Sequence, residues 1–316
     1  MRIVFLDTLG LDDLDLSLLQ THATSWDTYQ KTDIHQVAER IAGADIIITN
    51  KVVITQEDMQ ANPSLRLICV IATGLNNVDL QAASRLGIAI CNCQAYGTDS
   101  VAQHVMMLML ALHTRLLDYH RSVQAGDWNR SSQFCLLDYP IFELKNRTLG
   151  ILGYGVLGAE VERLARAFGM RVLIAERPGE AVARLGRVAL DEMLPQIDVL
   201  TLHCPLTDET RNIINAERIA RMKPGSFIVN AARGGIVNEQ DLADALRSGH
   251  LGGAATDVLS QEPPRMGNVL LDSSIPNLIV TPHSAWGSHQ ARTHLVEQTA
   301  ENIASFIKGA PVRQVN

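Results

Sequence analysis

Residues 148–176 read TLGILGYGVLGAEVERLARAFGMRVLIAE. An apolar run stops at Gly153, three glycines follow as Gly153-x-Gly155-x-x-Gly158, and a stretch with helical apolar spacing leads into a second apolar run. Few folds accept this order. Gly153 permits the tight turn out of a strand, Gly155 lets a pyrophosphate approach the backbone, and Gly158 lets helix and strand pack closely. The helix that starts there offers unpaired N–H groups and its positive dipole end to phosphates. A strand–glycine loop–helix–strand unit therefore predicts a dinucleotide-binding βαβ motif.

The same alternation runs along the rest of the chain. Strand-like runs fall at 2–7, 45–49, 65–71 and 87–91, and again at 147–153, 171–176, 197–204, 226–232, 251–258 and 278–282, with helical patterns between most of them. Strands that alternate with helices imply right-handed crossovers and parallel sheets covered by helices. The expected fold is α/β, with two doubly wound parallel-sheet domains. The larger is a Rossmann-type nucleotide-binding domain over 99–285. The smaller, flavodoxin-like domain spans 1–98 and takes back the final helical stretch, 286–316, so it is discontinuous. A single helix is expected over about 98–125, and another over 12–20. Aromatic residues make up only 4% of the chain, so aliphatic side chains must carry both cores.

Composition removes several classes of function. The net charge is −7 and there is no basic run, which argues against nucleic acid as a partner. The longest apolar stretch, VMMLMLAL at 105–112, is too short to cross a bilayer. The apolar start RIVFL is too short for a signal-peptide core, and the five cysteines show neither a CxxC pair nor a disulfide pattern. A cytoplasmic protein with reduced thiols and no metal site is the expectation.

The second strand of the glycine unit ends at Glu176, 18 residues beyond Gly158. A carboxylate there accepts hydrogen bonds from the adenosine ribose hydroxyls and repels a 2′-phosphate, which favours NAD over NADP. Arg177, the next residue, keeps NADP open, because a guanidinium holds a 2′-phosphate.

Three further strand ends carry reactive groups: Arg233 in VNAARGGIVN, Asp257 and Glu262 in TDVLSQEPP, and His283 in TPHSAW. Ligands of open parallel sheets sit outside the carboxyl ends of the strands, so all four residues are aimed at the cofactor edge. Reduction of a keto group needs a proton donor and a grip on the acceptor. Histidine is the natural donor near neutral pH, and a carboxylate such as Glu262 beside it favours the imidazolium. The planar fork of Arg233 polarises a carbonyl and holds an adjacent carboxylate. Asp257 is placed to orient the nicotinamide amide, and Trp286 to wall the substrate pocket.

The segments GILGYGVLG, HCPLTDETRNIIN, VNAARGGIVNEQDLADAL, GAATDVLSQEPP and TPHSAW, in this order, resemble the D-isomer-specific 2-hydroxyacid dehydrogenases. Trp286 and TNKVVIT around Lys51 narrow the likeness to the glycerate dehydrogenases, also called hydroxypyruvate reductases. The resemblance implies Arg233, Glu262 and His283 as the catalytic trio, with His283 as proton donor in reduction. It implies that Val156 and Leu157 touch the pyrophosphate. Cys204 and Pro205 would line the adenine side, and Ala231, Ala232 and Asp257 the nicotinamide half. It also implies a homodimer built through the long helix and the 126–146 arm. Gln103 departs from the family, where many relatives carry Glu.

On the substrate side, Thr73-Gly74-Leu75 follows the strand 65–71 and can form a nest of N–H groups for a carboxylate. The resemblance assigns that role to Gly74 and Leu75, with Asn76 and Asn77 expected to open the next helix. Lys51, at a strand end, adds positive charge. The substrate so implied is a small 2-keto acid, hydroxypyruvate or glyoxylate, reduced to the D-2-hydroxy acid. Alternatives are another D-2-hydroxy acid, such as D-3-phosphoglycerate or D-lactate, and a non-catalytic NAD-sensing scaffold like the corepressors that share the fold.

Overall fold

Ile46-Ile47-Ile48 are buried completely, on both sides of their strand. Continuous aliphatic runs of this kind mark central strands of a parallel sheet covered by helices. The computed structural model, which describes residues 1–8, 10–180 and 182–316, shows two such sheets. Each belongs to its own compact unit: Met1–Gly97 with Gly287–Asn316, and Thr98–Trp286. Thr98 and Trp286, expected at the edges of the first unit, lie in the second.

The first sheet holds β1 (Arg2–Phe5), β2 (Ser25–Thr28), β3 (Ile46–Thr49), β4 (Leu67–Val70) and β5 (Ala89–Cys91) in the order β2-β1-β3-β4-β5, every pair parallel. β2 was not among the expected strands. It is an edge strand of four residues, SWDT, with exposed ends, and offers no apolar run to read. The expected helix over 12–20 shrinks to Ser17–Gln20. The helix His289–Ile307 packs on this unit, and Ser288 caps it by accepting the N–H of Ala291. Its buried Asn302 donates to the carbonyl of Asn92 at 3.0 Å.

The second sheet holds β6 (Thr148–Leu152), β7 (Arg171–Ile174), β8 (Val199–Leu202), β9 (Ser226–Asn230), β10 (Leu251–Thr256) and β11 (Leu278–Val280). Their order is β11-β10-β9-β8-β6-β7, again all parallel. The chain leaves β6 toward β7 on one side and returns to β8 on the other. The glycine loop after β6 thus sits at the switch point, where open α/β sheets bind ligands. Separate aliphatic clusters fill the two faces of this sheet. Each fully buried large aliphatic side chain contributes roughly 1.5–3 kcal/mol.

The expected long helix is broken. It runs Thr98–Thr114, stops at Arg115 in the left-handed region (φ 54°), and resumes as Leu116–Gln124. Arg115 and Asp118, one turn on, form a close ion pair at 2.5 Å that fixes the break. All five cysteines are free thiols, four of them buried. Among the described residues, no helix is long and apolar enough to cross a membrane.

Candidate active site

Close packing explains two of the three loop glycines. A Cβ on Gly153 (φ 95°) would lie 2.3 Å from the backbone nitrogen of Cys204, and one on Gly158 would lie 2.5 Å from the carbonyl oxygen of Gly153. Gly155 differs: a Cβ there would meet nothing within 4 Å. Gly155 caps the helix Val156–Ala167 without a side-chain cap, so the first-turn N–H groups are left for a ligand. Val156 is 65% exposed at this end and Leu157 half-buried. An open cradle above one glycine, walled by two that cannot change, fits the pyrophosphate of a dinucleotide.

Glu176 follows β7 directly, but its carboxylate faces inward. Oε1 accepts the N–H of Arg177 at 2.7 Å, Oε2 accepts the N–H of Arg184 at 2.8 Å, and the Arg184 guanidinium bonds both oxygens. These donors hold the carboxyl well below the usual carboxylate range, with the Arg184 side chain the largest cause. Cys204 is buried against Gly153, and burial pushes its thiol up to about 11, so it supplies shape and not a thiolate. Pro205 is exposed and its carbonyl accepts the Thr210 hydroxyl.

At the end of β9, the buried Ala232 donates its N–H to the side chain of Asn230, which in turn donates to the carbonyl of Arg233. This closed turn presents Ala231 half-buried and Arg233 exposed, with Nη1 of Arg233 donating to the Ala232 carbonyl at 2.7 Å. A Cβ on Gly234 would fall 1.9 Å from the carbonyl oxygen of Leu259. The Arg233 turn therefore packs directly on the loop that leads to Glu262.

Glu262 reaches back with both oxygens. Oε1 accepts the N–H of Leu259 at 2.8 Å, and Oε2 lies 2.6 Å from Nδ1 of His283. Both side chains are one-third exposed, open to a reactant yet partly screened from water. With Nδ1 turned to the Glu262 carboxylate, Nε2 is the other ring nitrogen of His283. The His283 backbone is in the left-handed region (φ 53°), which costs a non-glycine residue about 1–3 kcal/mol. Its N–H donates to the carbonyls of Asp257 and Thr281, which holds it there.

Asp257 is buried at the end of β10. Oδ1 accepts the Thr281 hydroxyl at 2.5 Å and the N–H of Ser284 at 2.9 Å, and Oδ2 accepts the N–H of Ala285 at 2.9 Å. Expected to meet the nicotinamide, this carboxylate is turned to the 281–285 segment that carries His283. Nε2 of His104 joins the network, 3.1 Å from Oγ1 of Thr281 and 3.6 Å from Asp257. Ser100 donates to the carbonyl of Ala285, beside the half-buried Trp286. Gln103 is exposed on the same helix as His104.

In the first unit, the carboxylate of Asp7 gathers three consecutive N–H groups, from Asn50, Lys51 and Val52, at 2.7, 2.6 and 3.2 Å. It fixes the turn that presents Lys51. The side chain of Asn77 donates to the carbonyl of Val52 at 3.0 Å, which ties the Gly74–Leu75 turn to the same edge. Asn76 and Asn77 do not open the next helix; Asp79 does, accepting the N–H of Ala82 at 2.9 Å.

The family model for the D-isomer specific 2-hydroxyacid dehydrogenase NAD-binding domain matches residues 106–285. A glycerate dehydrogenase of Methylorubrum extorquens is 42% identical over 311 residues, covering 98% of this chain and 97% of that one. A hydroxypyruvate reductase of Blautia hydrogenotrophica is 39% identical, covering all of both chains. The chain belongs to the D-isomer specific 2-hydroxyacid dehydrogenase family. The crystal structure of the TT0316 protein of Thermus thermophilus, 30% identical, superposes with a TM-score of 0.86 over all of both chains.

As a D-2-hydroxyacid dehydrogenase the protein is an oxidoreductase that works with a nicotinamide dinucleotide and a small substrate. Three participants escaped the sequence reading of this dehydrogenase. His104 showed only as the flank of an apolar run, Thr281 as a strand end, and Arg184 lies in no motif at all. The first two stand beside Asp257 only because the fold brings distant segments together.

Proposed function

We propose that the protein reduces hydroxypyruvate to D-glycerate, with His283 as the proton donor. The observation that carries this reading is the 2.6 Å pair of His283 and Glu262, held on the same sheet edge as the open glycine cradle. A bound nicotinamide dinucleotide supplies the hydride. His283 gives its Nε2 proton to the keto oxygen, while Glu262 holds the imidazole by Nδ1 and stabilises its charge. Arg233, exposed on a turn that cannot yield at Gly234, polarises the carbonyl and pairs with the substrate carboxylate. Ala231 and Ala232 frame the nicotinamide half, with Asp257 holding the 281–285 segment at the same edge; Val156 and Leu157 frame the pyrophosphate, and Cys204 and Pro205 the adenine. Trp286 bounds the substrate.

We assign substrate binding also to the first unit, through Lys51 and the N–H groups of Gly74 and Leu75. The choice of hydroxypyruvate over glyoxylate, D-lactate or D-3-phosphoglycerate chemistry follows the two full-length relatives named for glycerate and hydroxypyruvate. We further propose a homodimer through the second part of the long helix, Leu116–Gln124, and the 126–146 arm. Leu116, Leu117, Trp128, Phe134, Leu137 and Ile141 are exposed there, Phe134 at 92%, more apolar side chain than an isolated surface of this size normally shows. Four buried thiols accord with a cytoplasmic location.

The test is oxidation of NADH and NADPH with hydroxypyruvate, glyoxylate, pyruvate and 3-phosphohydroxypyruvate, for the intact chain and for His283→Ala. Fastest turnover on hydroxypyruvate, lost in the variant, is expected. Equal turnover in the variant would remove His283 from the mechanism. Binding of the dinucleotide without turnover of any of the four would favour the sensing scaffold.

A further inference from the structure

An acidic residue at the end of the second strand selects NAD only if its oxygens are available to the ribose. In this chain they are not. A carboxylate offers about four lone-pair positions, and Glu176 already faces four donor groups: the N–H groups of Arg177 and Arg184, and Nε and Nη2 of Arg184. The Glu176 side chain is 3% exposed and that of Arg184 54%. The carboxylate is a buried anchor, and what it holds at the surface is a guanidinium.

The surroundings are basic as well. Val188 rejoins β7 by pairing with Ala175, so the segment that carries Arg184 and Arg187 is closed at its base against the strand end. Arg177 is exposed beside Glu176. The guanidinium of Arg187 lies over the ring of Tyr154, inside the glycine loop, at 4.6 Å from the ring centre. Counting Glu176 and Glu180 against Arg177, Arg184 and Arg187 leaves this segment a net charge of +1. Nε and one N–H of Nη2 serve Glu176, and the fork's remaining N–H groups suit the oxygens of a phosphomonoester.

We propose that Arg184, pinned by Glu176, is the specificity-determining residue of the adenosine end, and that it makes the site accept a 2′-phosphate, so that NADPH binds more tightly than NADH. The proposal rests on the reading of the glycine loop as a dinucleotide site. Because Glu176 fixes the guanidinium before the ligand arrives, little side-chain freedom is lost on binding.

The direct probe is calorimetric titration of the intact protein with adenosine 2′,5′-bisphosphate and with 5′-AMP, which differ only in the 2′-phosphate. The bisphosphate is expected to bind at least tenfold more tightly. Arg184→Ala removes the cation and also releases the Glu176 carboxylate toward the ribose. The preference should then reverse, with the bisphosphate weakened at least tenfold and 5′-AMP unchanged or tighter. Arg184→Lys, which keeps the charge but not the fork, should fall between. A wild-type protein that binds 5′-AMP as tightly as the bisphosphate would overturn the proposal. So would an Arg184→Ala variant that weakens both ligands equally, since that is the mark of a merely structural arginine. Failure of both probes to bind wild-type protein would overturn the dinucleotide reading itself.

Discussion

Oε2 of Glu262 lies 2.6 Å from Nδ1 of His283, and the other oxygen of the same carboxylate is fixed by the N–H of Leu259. The imidazole is thereby held by a group that is itself held. Glu262→Gln keeps an oxygen for Leu259 but removes the negative charge beside the ring. The expected result is a kcat at least tenfold lower with KM little changed, because the lost interaction matters most when the imidazole charge changes. His283→Ala should lower kcat by about 10²–10⁴, the usual range for a general acid. Steady-state kinetics on hydroxypyruvate measure both. A Glu262→Gln variant with wild-type kcat would reduce this pair to a surface contact.

The pair also marks how far the sequence could be read. Gly153, Gly155 and Gly158 were legible because their spacing sits between a strand and a helix; the close contact at Gly158 is local, whereas that at Gly153 comes from the distant backbone of His203 and Cys204. His283 and Glu262 were legible as strand-end residues on one sheet edge. β2 was not, since none of the four residues of SWDT is fully buried at this sheet edge. The break at Arg115 was not, because no glycine or proline announces it. Glu176 illustrates the deeper limit. Its position after β7 was readable, but whether its oxygens face a ribose or Arg184 is decided by the path of the segment between them. Asp257 is similar: the sequence placed it at the reactive edge, and tertiary structure gave its oxygens to the segment 281–285.

Asp257 should therefore behave as a positioning residue for His283. In Asp257→Asn an NH₂ group must face one of the donors from Thr281, Ser284 or Ala285. Leaving one such buried donor unsatisfied costs about 1–3 kcal/mol, and the 281–285 segment should relax. Urea denaturation should show the lower midpoint, and kcat should fall although residue 257 carries no proton in the reaction. His104→Phe, which loses a contact only at the edge of the network, should cost less on both measures. Unchanged stability and kcat in Asp257→Asn would mean the loop holds His283 without this carboxylate.

Acid should destabilise the protein through histidines that are buried neutral. Burial pushes His203 down from 6.5 to about 4, and lowers His113 too; among the described residues, Nδ1 of His203 and Nε2 of His113 are sealed without a partner. A base whose folded value lies below its unfolded one binds fewer protons when folded. Lowering the pH then favours the unfolded chain. For His203 the loss begins below about pH 6.5, continues to about pH 4 and then levels, for a total on the order of 3 kcal/mol. His203→Gln keeps a hydrogen-bonding partner for the hydroxyl of Thr201 and cannot titrate. Its stability, measured by denaturation at pH 7 and pH 5, should fall less between the two than that of the wild type. Equal slopes in the two proteins would assign the acid sensitivity elsewhere.

The glycine loop allows folding and binding to be separated. Alanine at position 153 needs a φ near 95° and puts its methyl 2.3 Å from a backbone nitrogen and 2.5 Å from a backbone carbon. Neither atom belongs to a flexible side chain that can swing away. Gly153→Ala should lose more than about 3 kcal/mol or fail to accumulate as folded protein. Alanine at 155 meets nothing within 4 Å and keeps an ordinary φ of −103°, so Gly155→Ala should fold within about 0.5 kcal/mol of wild type. Its methyl, however, occupies the space through which a pyrophosphate must reach the N–H groups of the helix Val156–Ala167. Dinucleotide binding, followed by nicotinamide fluorescence, should weaken at least tenfold at unchanged stability. If Gly155→Ala binds the dinucleotide as well as the wild type, the middle glycine serves only the turn, and the phosphates approach the sheet by another path.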